Sequence, residues 1–466
     1  MQRAYSLDAL RGYSIITMIL SGTIVSGMLP GWMYHAQVGP RSNFIFDPGI
    51  FGITWVDLVF PFFLFSMGAA FPFSLGNKLQ KGVSKWKLVW DSIIRGIKLT
   101  FFAIFIQHMY PWIISSPEDI SSWMLALLAF ALMFPIFMRI PAPIPSWMRV
   151  GIKLLAYGIS FILLLTMPYA DDRTFSLSFS NIIILVLANM AIFGSIIYIF
   201  TANNRWLRIG ILPFVMAIFL GSSTEGSWVK EVMDYSPFPW MYKFYYLKYL
   251  FIVIPGSIAG EYLREWLQLK NEVSKTQKQG NQTLYILILS ICIIVFNLYG
   301  LYMRYLVINL IGTILLLACL YFLLRKRDVD THYWYKLFVA GAYLLMLGLF
   351  FEAYEGGIRK DHSTYSYYFV TAGLAFIAMI VFSILCDIYR WRKLVLPLEM
   401  AGQNPMIAYV APQLVIMPLL NLLGLGRYLY LFGQNAWLGF LHGIIITTLS
   451  VGVAVIFTKL KWFWRT

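Results

Sequence analysis

Long apolar runs follow one another along the chain, separated by short intervals where Gly, Pro, Asn, Lys and Arg collect. A run of about 20 apolar residues lets a helix cross the hydrocarbon of a bilayer, and shorter runs suffice where neighbours support them. Fourteen spans are expected: approximately 10–29, 54–75, 90–110, 122–138, 151–167, 181–200, 206–221, 246–263, 283–300, 304–324, 335–352, 367–388, 404–423 and 437–457. The pair within 181–221 reads as two spans or as one re-entrant hairpin, and Met303–Arg304 as a very tight turn. Because backbone polar groups in lipid must bond within their own segment, the expected fold is an all-α polytopic membrane protein. No long polar interval divides it, so residues 1–466 are read as one domain.

Lysine and arginine check this reading independently, since cytosolic loops are enriched in both. With a cytosolic N-terminus, 27 of the 36 basic residues fall in inside segments and 8 in outside loops, with Lys248 at a span entrance. An odd error in the span count would scramble the alternation, yet it stays in phase to the end. Both termini are therefore expected in the cytosol, and His35 on the far side. Trp55, Trp86, Trp112, Trp123, Trp147, Trp437 and Trp462 sit near span ends, as interfacial anchors do.

Composition agrees with the pattern. The chain is 60% hydrophobic and 12% charged, against about 25% charged in an average soluble domain. The net charge of +15 follows from the inside bias and calls for no nucleic-acid partner. Cys292, Cys319 and Cys386 all lie in apolar runs, so no disulfide framework is expected. The first run is long and lacks an Ala-x-Ala-like site, which reads as a span rather than a cleavable leader. Nucleotide-loop, zinc-protease and serine-hydrolase motifs are missing, which disfavours a P-loop pump, and no metal is expected.

Ionisable residues inside spans are expensive and mark candidate function. Asp8 and Arg11 stand at i and i+3 on one helix face, which reads either as an ion pair with a cap from Ser6 or Asp8, or as part of a binding rim. His35 lies in the first outer loop, where a histidine is commonly just solvated. Asp57 sits one turn before Pro61 at the mouth of the second span; a proline there frees a carbonyl and makes room for a polar pocket. Gly402-Gln403-Asn404-Pro405 opens the thirteenth span, with Asn404 read as a helix cap or as part of an anion site. Arg359 through Tyr367 forms a dense polar cluster before the twelfth span. His108 is placed near the outer end of the third span, and His442 reads as packed within the last.

Taken in order, Ser6-Leu7-Asp8-Ala9-Leu10-Arg11-Gly12, a histidine in the first outer loop, and Gly52-Ile53-Thr54-Trp55-Val56-Asp57-Leu58-Val59-Phe60-Pro61 resemble the heparan-alpha-glucosaminide N-acetyltransferase family. The Tyr34-His35-Ala36-Gln37 loop with Phe46-Asp47-Pro48 is similar to its bacterial DUF5009 branch. The likeness continues at Gly256-Ser257-Ile258-Ala259-Gly260, Lys360 through Tyr367, and Gly402-Gln403-Asn404-Pro405 with Tyr409. It covers about the first 75 residues and most of 245–457. The chain departs from the family core of about ten spans by two inserted hairpins, near 181–221 and 283–324, and by a longer loop between His35 and Thr54.

The resemblance implies a transmembrane acetyltransferase of the bacterial inner membrane, moving an acetyl group from cytosolic acetyl-CoA to a periplasmic amino sugar or glycoconjugate. It implies His35 as general base or acetyl carrier with Asp57 orienting it, and acetyl-CoA held by Asp8, Arg11, Gly402, Gln403 and Asn404. It further implies acceptor contacts from Tyr34, Lys360, Ser363, Thr364 and Tyr367, and a homodimer. The competing expectation is a secondary transporter or flippase of sugar- or lipid-linked solutes, a class that also uses many spans and broken helices. A structural scaffold is the blandest alternative, set against the gathering of Asp8, Arg11, His35 and Asp57 in one hairpin.

Overall fold

A computed structural model describes residues 4–141, 143–272, 281–325 and 328–465. These residues form helices and connecting turns, with no β-strand among them and one isolated bridge between Met138 and Trp464. Each of the fourteen apolar runs overlaps a helix, and among the described residues ten helices are long and apolar enough to cross a membrane. The remaining four are shorter or more polar: Tyr5–Thr23 carries Asp8 and Arg11, and Arg205–Gly221 has 17 residues. Lys85–His108 and Leu250–Glu272 each bear several charges over part of their length. The 181–221 segment forms two helices, Ile182–Thr201 and Arg205–Gly221. The turn at Met303–Arg304 is as tight as expected: Arg304 takes φ +63°, and the helix Leu306–Leu323 starts two residues later.

Helix Tyr365–Ser383 is the core, with every residue buried. Helices Val329–Tyr354, Trp55–Ala69, Leu250–Glu272, Tyr5–Thr23 and Asn281–Met303 surround it. Without water to drive apolar surfaces together, helices in a bilayer rely on close packing, and small residues permit it. A Cβ on Gly12 would lie 1.8 Å from the Leu398 carbonyl oxygen, and one on Gly402 would lie 2.0 Å from that of Asp8. Helix Tyr5–Thr23 thus rests backbone-to-backbone on helix Arg392–Gln403. Gly256 and Gly260 bring helix Leu250–Glu272 equally close to Phe65 and Ala69 on helix Trp55–Ala69.

Two capping expectations are corrected. The first helix begins at Tyr5, so Ser6 and Asp8 fall inside its first turns and neither caps it. Asn404 occupies the N-cap position of Pro405–Ala411, but its side chain makes no cap bond. It is buried and turned to the C-terminal tail instead, donating to the Trp462 carbonyl (2.8 Å) and accepting from the Trp464 N–H (3.3 Å).

Candidate functional site

The loop after helix Tyr5–Thr23 is held by its own polar groups. The Tyr34 hydroxyl accepts the N–H groups of Met28 (3.3 Å) and Leu29 (3.0 Å) and donates to the Val25 carbonyl (2.8 Å). Gln37 is fully buried and bridges to the loop between the helices Val329–Tyr354 and Tyr365–Ser383: its amide donates to the Asp361 carbonyl (2.9 Å), and its Oε1 accepts the Asp361 N–H (2.9 Å). A third bond from Gln37 reaches the Pro48 carbonyl at 3.1 Å. Buried amides leave few lone pairs idle, so these bonds set the position of residue 361 relative to residue 35.

Asp57 stands at N3 of its helix and closes a capping box with Thr54. Its Oδ2 accepts the Thr54 N–H (2.9 Å), the Thr54 hydroxyl (3.3 Å) and the Ala36 N–H (3.3 Å). Its Oδ1 faces His35 Nε2 at 3.3 Å and Lys360 Nζ at 3.8 Å. On the other side of the imidazole, Asp361 Oδ2 lies 3.2 Å from the same Nε2. His35 is therefore flanked by one fully buried carboxylate and one partly exposed one. Its Nδ1 accepts the Gln37 backbone N–H at 3.0 Å, which assigns the proton of the neutral ring to Nε2, between the two carboxylates.

Burial raises the Asp361 carboxyl, but the hydrogen bond from His35 and the charges of Lys360 and His35 outweigh it and hold the group below the usual carboxylate range. A carboxylate on one ring nitrogen fixes the tautomer, makes the other nitrogen more basic and steadies an imidazolium once formed. The arrangement suits a base or a nucleophile at Nδ1.

The other sequence candidates divide into two groups. Tyr367 donates to the Asp57 carbonyl (2.8 Å), while Lys360 reaches the Asp57 carboxylate. Ser363 bonds the Tyr368 hydroxyl (2.7 Å), with Tyr245 at 3.3 Å and Lys248 donating to its carbonyl. Thr364 closes the loop on Arg359, accepting its N–H at 3.0 Å. Tyr34, Ser363 and Thr364 thus shape the walls with hydroxyls bonded to the protein. Asp361 was not singled out from the sequence, although it sits within the polar cluster at 359–367. Its only sequence signal is being a carboxylate beside Lys360.

The second group lies further along the bundle. Arg11 reaches the carbonyls of Gly402 (3.5 Å) and Ser66 (3.3 Å) and stands 3.9 Å from Asp8. Asp8, Arg11 and Gly402 lie against one another, Asn404 is turned to the tail at Trp462 and Trp464, and Gln403 bonds back to the Glu399 carbonyl (3.0 Å). Ser66 follows Asp57 by nine residues on one helix, about 14 Å of rise. The two groups are therefore separated by roughly half of a bilayer core of about 30 Å.

A family model described as a domain of unknown function (DUF5009) matches residues 3–263, over half of the chain. The chain belongs to that family. No curated protein matches it.

Proposed function

We propose that this member of the DUF5009 family is a transmembrane acetyltransferase, carrying an acetyl group from cytosolic acetyl-CoA to an amine or hydroxyl of a glycan or glycoconjugate across the membrane. The observation that carries the reading is His35 set between Asp57 and Asp361, with its Nδ1 accepting a backbone N–H. In this reading the chain spans the inner membrane about fourteen times with both termini in the cytosol, consistent with 27 of its 36 basic residues falling on that side.

The chemistry is an acyl transfer. An acceptor amine or hydroxyl attacks the thioester carbon, its proton passes to His35 Nδ1, the C–S bond breaks, and the imidazolium returns the proton to the CoA sulfur. In the two-step form, Nδ1 itself attacks the thioester carbon, the C–S bond breaks to release the CoA thiolate, and the acceptor then takes the acetyl from Nδ1 as its proton passes to that thiolate. Either route needs the Gln37 N–H to give way at Nδ1, and both carboxylates favour the positive ring that results. Arg11 and its neighbours offer positive charge for the donor's phosphates. The rise of about 14 Å from Ser66 to Asp57 is a path that a slender pantetheine arm suits.

The test is His35→Ala in protein reconstituted into vesicles, with labelled acetyl-CoA outside and amino sugars inside. Acetyl transfer is expected to vanish while acetyl-CoA still binds. Turnover that survives the substitution overturns the role of His35. Sugar uptake without consumption of acetyl-CoA supports a transporter instead.

A further inference from the structure

A groove of about 460 Å³ opens to the outside of the bundle beside the His35 site. Trp32, Trp55, Leu298, Tyr299, Tyr302 and Met303 form its walls, and Ile53 and Thr54, both buried, lie at its inner end. Apolar side chains facing outward are ordinary on a membrane protein, where lipid covers them. Two features set this groove apart.

The first is continuity with the site. Thr54 lines the groove and also gives both its N–H and its hydroxyl to the Asp57 carboxylate that faces His35. Trp32 belongs to the same loop as Tyr34 and His35.

The second is charge at the rim. Three guanidinium groups collect on the Phe51-Gly52 segment just before Ile53. Arg304 and Arg359 lie over the Phe51 ring at 5.3 and 5.0 Å, and Arg41 Nη1 would be 3.6 Å from a Cβ on Gly52. Arg41 also stacks on the groove residue Tyr302 at 3.7 Å and donates to its carbonyl (2.7 Å). Of the nearby carboxylates, Glu352 pairs with Arg304, Glu355 accepts the N–H groups of Tyr365 and Ser366, and Asp57 takes Lys360. Among the described residues, Arg41 and Arg359 have no carboxylate partner, and Arg359 Nε is buried without a hydrogen bond. Unpaired guanidinium forks next to an apolar channel match an anionic, phosphate-bearing head on a hydrocarbon chain.

We infer that this groove seats the hydrocarbon chain of a phosphate-linked lipid carrier, and that the acceptor sugar is delivered to His35 attached to it. The phosphate lies on Arg41 and Arg359, the chain runs along Trp32, Trp55 and Tyr299, and the sugar projects past Thr54 toward the imidazole. This rests on the acetyltransferase reading for the reaction, whereas the lipid site stands on the groove and its rim.

The probe is a long-chain polyisoprenyl phosphate carrying a photoreactive diazirine, added to the full-length protein in nanodiscs. Capture is expected on peptides covering residues 32, 53–55 and 295–303, displaced by unlabelled polyisoprenyl phosphate and not by phosphatidylglycerol at the same mole fraction. Leu298→Trp, which fills the groove, and the pair Arg41→Gln with Arg359→Gln should each cut capture at least fivefold while acetyl-CoA binding persists. Label spread evenly over the outward helices, or equal displacement by phosphatidylglycerol, overturns the proposal. So does acetyl transfer to a polyisoprenyl-phosphate-linked amino sugar that runs as fast in Leu298→Trp as in wild type, a result that leaves the transferase reading standing. Groove capture by a wild-type protein that consumes no acetyl-CoA supports the lipid site and removes that reading instead.

Discussion

Tyr367 donates its phenolic hydrogen to the backbone carbonyl of Asp57 at 2.8 Å, closing a gap that Pro61 opens. In a regular helix the N–H four residues on would fill that carbonyl, and proline has none. Both residues are fully buried, so the bond joins the core helix to the one that carries the site.

Tyr367→Phe should therefore leave a buried carbonyl unpaired and cost about 1–3 kcal/mol. A lower unfolding temperature in detergent is expected, together with reduced acetyl transfer as Asp57 loosens. In a Pro61→Ala background the residue 61 N–H takes over the carbonyl, and the same Tyr367→Phe change should cost much less. Additive losses in this double-mutant cycle would show that the two residues do not share that carbonyl.

Asp361 predicts an acid limb in stability. Its folded carboxyl lies below its unfolded value, so in that window the unfolded state binds more protons and stability rises with pH. The contribution is complete above about pH 4, the ordinary aspartate value, and is lost as pH falls through the lower folded one. Asp361→Asn should flatten that part of the melting-temperature profile. An unchanged acid limb would count against the His35 pairing.

Glycine contacts give opposite signs at two positions of one helix. Gly12→Ala places a methyl group 1.8 Å from the Leu398 carbonyl oxygen and should destabilise the fold by several kcal/mol or prevent it. Gly22 has nothing within 4 Å of its added Cβ, and Gly22→Ala should stabilise by up to about 1 kcal/mol. Thermal melts of the two variants decide both.

Arg11→Gln removes the charge that stands between Ser66 and Gly402. Acetyl-CoA binding measured by calorimetry should weaken about tenfold, about 1.4 kcal/mol. His35→Ala should bind as wild type does. Equal affinity in wild type and Arg11→Gln would move the donor site elsewhere.

Much of the site was legible because the residues that make it are costly to keep in an apolar chain. Asp8, Arg11 and Asp57 stood out against their surroundings, and Pro61 announced a free carbonyl. The partner of that carbonyl was named as a substrate contact, and its structural task came from 310 residues of chain brought round to meet it. Asp361 escaped notice because charged residues are common in a loop, and nothing local says which one faces an imidazole. Local spacing offers Asn404 as a helix cap or as part of an anion site; the tail that it grips is 58 residues away.

The run of apolar segments and the bias of lysine and arginine determined that this is a helical membrane chain, because hydrocarbon accepts only backbone that satisfies itself. Which polar side chains meet could be decided only by the packing. Helices that approach closely at Gly12, Gly256 and Gly402 bring together residues far apart in the chain. A carboxylate then finds its histidine through geometry that no local pattern encodes.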